Sequence, residues 1–280
     1  MLPDISPQRR LPLLPLEAFG EIVALLANRT IWYVPGVGNP GDSLIHAGAR
    51  CLFKRTNTEV KAQPDKVDFL VWGGGGNLGT FWPASHARRQ VAFNTAREAG
   101  LPIVIMPQSA TDANEALGPD FTIFARERST KELYPHSKLA PDMALAFDED
   151  VAAYAGQKQM FDFGVFLRRD KESSGEFDPV LSIFDVAQVS IDFHGYFQVA
   201  SLFEAIVTDR LHFCIASLIL GRKTLLLPNS YYKNHGVYEA WLKQLGCLWQ
   251  TKETLKPPRH YRPEEIRTQL RAAGVLQRPA

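Results

Sequence analysis

Short apolar runs alternate with helical stretches over most of the chain. After a lead-in helix at Leu16–Ala27, the runs Ile31–Val34, Val67–Trp72, Pro102–Met106 and Phe121–Ala125 have the length and side-chain types of buried strands. Ser43–Phe53, His86–Ala99 and Asp112–Leu117 lie between them and predict helices. Strands alternating with helices predict βαβ units and a parallel sheet. Pro141–Leu145 reads as a last short strand or bridge, and the polar stretch Asp148–Gln159 as an inter-domain helix or linker. A second set follows, with strands at Phe163–Leu167, Ala187–Ile191, Ala205–Thr208 and Thr224–Leu227. Its helices are Tyr196–Glu204, Leu211–Leu220 and Val237–Leu245, and a last amphipathic helix at Pro263–Ala273 opens with proline and two glutamates. The pattern predicts two α/β halves, residues 1–150 and 151–280, with ligands taken in a cleft between them.

Composition narrows the function classes. The 280 residues are 45% hydrophobic, and 31 basic residues stand against 30 acidic ones, a formal charge of +1. That balance gives no field for binding nucleic acid wholesale, although a local basic pocket is open. Cys51, Cys214 and Cys247 form no CxxC and have no clustered histidines, so reduced, buried thiols are expected and no metal site. The N-terminal stretch to Leu26 carries prolines in its apolar part and acids at Asp4, Glu17 and Glu21, against the pattern of a signal peptide. No apolar run reaches the ~18–20 residues of a membrane span, and a cytoplasmic protein is expected.

Gly36–Gly41 reads GVGNPG, the glycine fingerprint of dinucleotide-binding folds, and Glu59 follows at roughly the distance of a ribose-binding acid. Two features weigh against that reading. Asp42 stands where a pyrophosphate would meet the helix N-terminus, and the polar stretch Lys54–Thr58 leaves no second strand leading to Glu59. A turn capped by Asp42 or Ser43 and facing a polar substrate is the preferred account. The glycines Gly73–Gly76 cost more chain entropy than a plain turn requires, which predicts close approach of a ligand or of the facing domain, the alternative being tight packing alone. Gln108 and Ser109 end the third strand with groups suited to sugar hydroxyls, the alternative being an ordinary strand-to-helix turn.

The segment Thr208–His212 sets Arg210 and His212 at the start of an apolar helix, where a cation calls for an anion. Either a ligand supplies it, or Arg210 pairs with a nearby acid and His212 is a satisfied, half-buried residue. Arg168 and Arg169 end a strand and either add to the same anion pocket or form a solvated surface pair, and Lys233 in Asn229–Asn234 adds a further cation. Asp142 either caps a turn or faces the cleft.

The segments GNPGDSLI, WGGGGN, MPQS, PDMAL, the Arg-ended strand, TDRLH and NSYYKN together resemble the polysaccharide pyruvyl transferase family, in the family's order, over about Ile31–Leu245. The resemblance implies two Rossmann-like domains in a glycosyltransferase-B-like arrangement, with residues 1–150 on the acceptor side and 151–280 on the phosphoenolpyruvate side. It implies transfer of a pyruvyl group from phosphoenolpyruvate to a sugar of a polysaccharide precursor, giving a pyruvate ketal and phosphate. Arg210 and His212 match donor-binding residues, and Arg168 (or Arg169) matches a further arginine. Thr208 stands where many members have serine. Asn39 and Asp42 lie in the first glycine motif.

The roles expected on this basis are as follows. Arg168, Arg210, His212 and Lys233 bind the donor, with Arg210, His212 and Asp42 catalytic; His212 binds phosphate or donates a proton, and Asp42 or Asp142 is the base. Asn39, Gly74, Gly75, Asn77, Gln108, Asp142 and Asn229 contact substrate. No metal and no cofactor beyond the co-substrate are expected, the acceptor is expected to be a lipid-linked oligosaccharide, and peripheral contact with the inner membrane face is allowed. The rival reading is a nucleotide-sugar-dependent glycosyltransferase or epimerase of the same two-domain shape.

Overall fold

The structure, a computed structural model, describes residues 11–275 except 115, 116 and 119. The chain divides into two compact units: Pro12–Gly38 with Asp42–Glu149, and Asn39–Gly41 with the residues from Asp150 onward. Asp4 and the N-terminal part of the apolar lead-in lie outside the described residues.

The N-terminal unit is built on parallel strands β1 (Thr30–Val34), β2 (Glu59–Lys61), β3 (Phe69–Trp72), β4 (Gly75–Leu78), β5 (Ile103–Ala110), β6 (Phe121–Ala125) and β7 (Lys138–Leu139). They run in the order β2-β1-β3-β5-β6-β7, with β4 also on β5. The order reverses between β1 and β3, where a crevice opens beyond the carboxyl ends of the strands. Both glycine segments leave the sheet there. Strands β3 and β5 are buried along their whole length, as inner strands of a covered parallel sheet are. Leu70, Trp72, Phe93, Ile105, Phe121 and Ile123 form the core beneath them.

Among the described residues the helices here are α1 (Gly20–Leu26), α2 (Pro40–Arg55, in this unit from Asp42 on), α3 (Pro83–Glu98) and α4 (Arg128–Leu133). Helix α2 carries Asp42 in its first turn and Lys54 and Arg55 in its last, matching its dipole. It buries Leu44, Ile45, Cys51 and Leu52. Gly48 lets it back directly onto the chain: the Met143 carbonyl occupies the place a Cβ would take.

In the C-terminal unit β8 (Phe161–Phe166), β9 (Phe203–Thr208), β10 (Lys223–Leu226) and β11 (Leu248–Trp249) pair in chain order, all parallel. With no reversal there is no switch point in this sheet. Its polar groups come instead from the loops that leave the strands. The helices are α5 (Ala152–Ala155), α6 (Val186–Val189), α7 (Phe193–Ser201), α8 (Leu211–Ile219), α9 (Lys233–Val237) and α10 (Pro263–Ala272). Helix α8 is apolar on every side and buried at every residue except His212, as an all-round apolar helix must be. Its Cys214 lies 3.5 Å, Sγ to Sγ, from Cys247, and Cys51, Cys214 and Cys247 are all free and buried.

Several expectations are corrected. Glu59 does belong to a strand, but it opens β2 opposite Thr30, at the amino end of the sheet and away from the glycine loop. The ribose-acid argument therefore fails by position, not for want of a strand; β2 is a three-residue edge strand with no buried residue, which hydrophobic patterning does not reveal. Pro141–Leu145 is no strand: Met143–Ala146 is a 3₁₀ turn capped by the Asp142 side chain. Ala187–Ile191 is no strand either: Val186–Val189 is a helical turn, α6, whose N-terminus is capped by Asp185. Asp112 and Asn114 are not helical, because the Asp112 carboxylate accepts from Asn114 N and from Thr80; Glu115 and Ala116 lie outside the described residues. The helix expected from Val237 begins at Lys233 and continues through a π turn at Tyr238–Leu242.

Candidate functional site

The C-terminal unit gathers charge at the carboxyl ends of β8, β9 and β10. Arg168 follows β8, Asp209 and Arg210 follow β9, and Asn229 and Lys233 follow β10. The turn after β9 is set by Thr208, whose Oγ1 accepts from Arg210 N at 3.0 Å. Arg210 then caps α8 in an extended conformation. Asn234 Nδ2 donates to the carbonyls of Asp209 (2.7 Å) and Leu227 (2.9 Å), stapling two of the loops, while Asn229 Oδ1 accepts from Asn234 N. Asn229 is thus a loop brace, buried, with its Nδ2 lacking a protein partner.

Every cation in this cluster meets an acid. Arg210 grips Asp185 with Nε (2.5 Å) and Nη2 (2.6 Å), and Nη2 reaches Asp170 at 2.9 Å. Arg168 holds Asp170 through Nε (2.7 Å) and Nη2 (3.0 Å), and Glu172 through Nη1 (2.6 Å). Lys233 donates to Glu172 and lies over the Tyr231 ring. Arg168 N donates to Asp209 Oδ1 at 2.8 Å, tying β8 to β9 beyond their last pair. Of the paired readings left open by the sequence, Arg210 is paired with acids; the partners are Asp185 and Asp170, neither adjacent in the chain.

The electrostatics follow from the packing. Burial pushes the Asp170 carboxyl up, but its Arg168 bonds and the Arg168 and Arg210 charges outweigh this and hold it at about 2. Burial opposes ionisation of Glu172 as well, and Lys233 and Arg168 again bring it below its ordinary value. Asp209 goes the other way: burial raises it to about 6 against the Arg168 N–H bond and both arginine charges. Burial disfavours the Arg210 guanidinium, yet Asp185 holds it fully protonated.

Arg169, the alternative to Arg168, is exposed; only its backbone N–H joins the cluster, on Asp185. His212, half-buried, is the second residue of α8. The turn residues Asn39–Gly41 group with this unit. A Cβ at Gly41 would stand 2.8 Å from both His212 Cβ and His212 Nδ1, and Gly41 N donates to Asn39 Oδ1.

The N-terminal unit places its own residues at the β1/β3 crevice. Gly73 and Gly74 are explained by the chain itself: a Cβ at Gly73 would lie 2.8 Å from Gly36 N, and one at Gly74 2.9 Å from the Pro107 carbonyl. Gln108 is wholly buried, donating Nε2 to Gly73 O (2.7 Å) and accepting from Asn77 N through Oε1 (3.3 Å). Arg89, also wholly buried, donates to the Asn77 and Gly79 carbonyls, and Arg88 to the Pro35 carbonyl. Both guanidinium groups lie over Trp72.

Beside Gly73, Tyr33 Oη stands 3.3 Å from His46 Nδ1, with the rings stacked. Burial, and then the Arg50 charge, hold His46 below its usual value, so its imidazole is neutral. The Asp42 carboxylate is half-buried and folds over Gly38, where any side chain would collide with it.

Three expected substrate contacts, Asp142, Gln108 and Gly74, are corrected here. Asp142 is fully buried: Oδ2 accepts from the equally buried Arg126 Nη1 at 2.5 Å and Oδ1 from Ala144 N at 2.9 Å. It is the turn cap rather than a cleft-facing base. Gln108 spends its amide on the glycine segment. Gly74 serves packing, whereas Gly75 makes only ordinary contact with Gln108. Asn39 is exposed, and Asp42, Asn77 and His212 are half-buried, so these reach solvent. Sequence reasoning missed Asp170, Glu172 and Asp185. The first two were visible as acids directly after the Arg pair, whereas nothing in the sequence ties Asp185 to Arg210. Among the described residues no group of His, Cys, Asp and Glu is placed to hold a metal ion, and no helix is long and apolar enough to cross a membrane.

Comparison with known proteins gives a family, a relative and a fold. The family model described as Polysaccharide pyruvyl transferase matches residues 26–231. The EpsO protein of Bacillus subtilis (strain 168), provisionally named a pyruvyl transferase, is 25% identical over 274 residues, covering 75% of this chain and 84% of that protein. The crystal structure of KP1_0663 from Klebsiella pneumoniae subsp. pneumoniae NTUH-K2044, a protein of uncharacterised function, superposes with a TM-score of 0.63 at 21% identity. That match covers 84% of this chain and 98% of that one, and shows the shared fold.

Proposed function

Because the chain belongs to the polysaccharide pyruvyl transferase family, we propose that it transfers the pyruvyl group of phosphoenolpyruvate to a sugar of a polysaccharide precursor, forming a pyruvate ketal. The observation that carries this reading is the convergence of Arg168 and Arg210 on one carboxylate, Asp170, at the carboxyl ends of β8 and β9. Two guanidinium forks aimed at one small anion suit a donor that carries carboxylate and phosphate close together. Lys233 supplies a further positive charge from the next loop.

In the reaction two sugar hydroxyls attack C2 of the donor in turn and the C2–O bond to phosphate breaks. One hydroxyl proton ends on the methylene carbon, making it methyl, and the other leaves with phosphate. Arg168 and Arg210 neutralise the donor and the departing phosphate. In this reading His212, at the start of α8, binds phosphate or hands over a proton, and Asp42 is the acceptor-side base. The proposal includes a glycosyltransferase-B-like arrangement, no metal or resident cofactor, and a cytoplasmic site of action on a lipid-linked oligosaccharide at the inner membrane face.

The test is to incubate purified protein with phosphoenolpyruvate and a panel of lipid-linked or aryl glycosides. Release of inorganic phosphate together with a product mass raised by one pyruvate ketal is expected. Absence of both with every hexose in the panel overturns the reading.

A further inference from the structure

Three carboxylates lie on the two arginines, and they are not equivalent. Asp185 has 1% of its side chain exposed and also accepts the backbone N–H groups of Arg169 and Ala187, so it is part of the frame. Glu172, at 5%, is shared between Arg168 and Lys233. Asp170 alone faces solvent, with 36% of its side chain exposed, in the turn just beyond β8. Asp170 is also the carboxylate that touches both forks, taking Nε and Nη2 of Arg168 and Nη2 of Arg210. With Arg168, Arg210 and Lys233 already matched by Asp170, Glu172 and Asp185, and the Asp209 carboxylate beside them on Arg168 N, a polyanion entering this cluster meets no net positive charge while Asp170 stays. Asp185 and Glu172 would have to be pulled from the interior, leaving a buried cation uncompensated, which is the costly outcome for a buried pair. Asp170 can swing into water.

We propose that Asp170 is a resident anion that occupies the donor's seat between Arg168 and Arg210 and is displaced when the donor's anionic group binds. The exchange conserves charge and breaks no covalent bond. Asp170 thereby sets selectivity. A singly charged carboxylate offers the forks no more than Asp170 already does and carries the entropic cost of association, whereas a phosphate-bearing donor makes additional charged hydrogen bonds. The inference deepens the function proposed above and rests on it for the donor's identity, although the displacement itself concerns any phosphate-bearing anion.

The test is Asp170→Asn. Asparagine is close in shape and its Oδ1 can still accept from Glu172 N, as Asp170 does at 3.1 Å, so the turn is retained. Binding of phosphoenolpyruvate and of inorganic phosphate is measured calorimetrically for wild type and variant, and Asp170→Ser repeats the measurement with the carboxylate removed altogether. Losing charge-assisted competition worth about one such bond predicts affinity for both ligands raised about tenfold, with pyruvate becoming a detectable ligand. Unchanged or weakened phosphate binding in both variants overturns the proposal and makes Asp170 a fixed positioning residue. In the wild-type protein, saturating phosphate is expected to return one strongly acidic aspartate carboxyl, followed by its ¹³C resonance, toward the ordinary range; no such change also overturns it. Tighter phosphate binding without any pyruvyl transfer would retain the displaced anion and sink the proposed function. Transfer without tighter binding would do the reverse.

Discussion

Replacing Asp142 by alanine removes a carboxylate bonded to the buried Arg126 Nη1. Both side chains are essentially inaccessible, at 0% and 1% exposure. Breaking one side of such a pair costs about 3–5 kcal/mol, and the buried Glu127 carboxylate, 3.9 Å from Arg126 Nε, leaves Arg126 partly compensated and puts the loss toward the lower end. The Ala144 N–H also loses its cap acceptor, adding about 1 kcal/mol. For a unit of this size that is a fall in Tm of roughly 10 °C or more. Circular dichroism during thermal and urea unfolding measures it. The double variant Arg126→Met with Asp142→Leu removes both charges of the pair but strands the Glu127 carboxylate, 0% exposed, so it is expected to recover only part of the loss. Transfer activity of Asp142→Ala, assayed well below its melting temperature, should fall no further than the folded fraction. A variant that melts within about 1 kcal/mol of wild type yet has lost all activity refutes the assignment and restores Asp142 to the cleft as a base.

Further outcomes follow from other packing and charge relations. Asp209 binds its proton more tightly when folded, at about 6 against an ordinary 3.8, so its contribution is full below about 4 and lost as pH rises through 6. Relative to Asp209→Asn, wild-type stability in urea should therefore fall by up to about 3 kcal/mol between pH 4 and pH 7; a flat difference contradicts the burial argument. Gly48→Ala forces a Cβ onto the Met143 carbonyl and should cost about 1–3 kcal/mol. Gly20→Ala, with nothing within 4 Å, should be neutral or gain up to about 1 kcal/mol in the same melting assay. Arg210→Lys keeps charge but loses the fork on Asp185, and kcat/KM for phosphate release should drop about a hundredfold or more. Arg169→Lys should stay near wild type, because only the backbone of Arg169 joins the cluster.

The elements legible in the sequence were those whose pattern reports burial. Strands β1, β3, β5, β6, β8, β9 and β10 each carry a buried, largely apolar run, and helix α8 is apolar apart from His212 and Ser217. What escaped was stabilised by something other than a hydrophobic face. Strand β2 is an exposed edge, α6 is a single turn stopped on an Asp cap, and β4 is made largely of glycine and asparagine held by Gln108 and Arg89. At the candidate site the cations at strand ends could be read, because arginine before an apolar helix is conspicuous. The buried counter-ion of Arg210 could not, since Asp185 lies 25 residues away and meets it only through the fold. The glycines misled in the opposite direction: Gly73 and Gly74 admit the chain's own backbone rather than advertising a ligand.

The three free thiols give each unit a clock. Burial raises Cys51, in α2 of the N-terminal unit, to about 12, and raises Cys214, in the C-terminal unit, well above its ordinary value, with Cys247 alongside it. Neither is a thiolate at neutral pH, and a disulfide reagent attacks only when the surrounding packing opens. The rate at which Cys51 is labelled thus times the opening of one unit, and the rate at Cys214 and Cys247 that of the other. Peptide mapping of the labelled protein would separate the two readings without a single added probe. A ligand that slows only the second clock identifies the unit on which it sits.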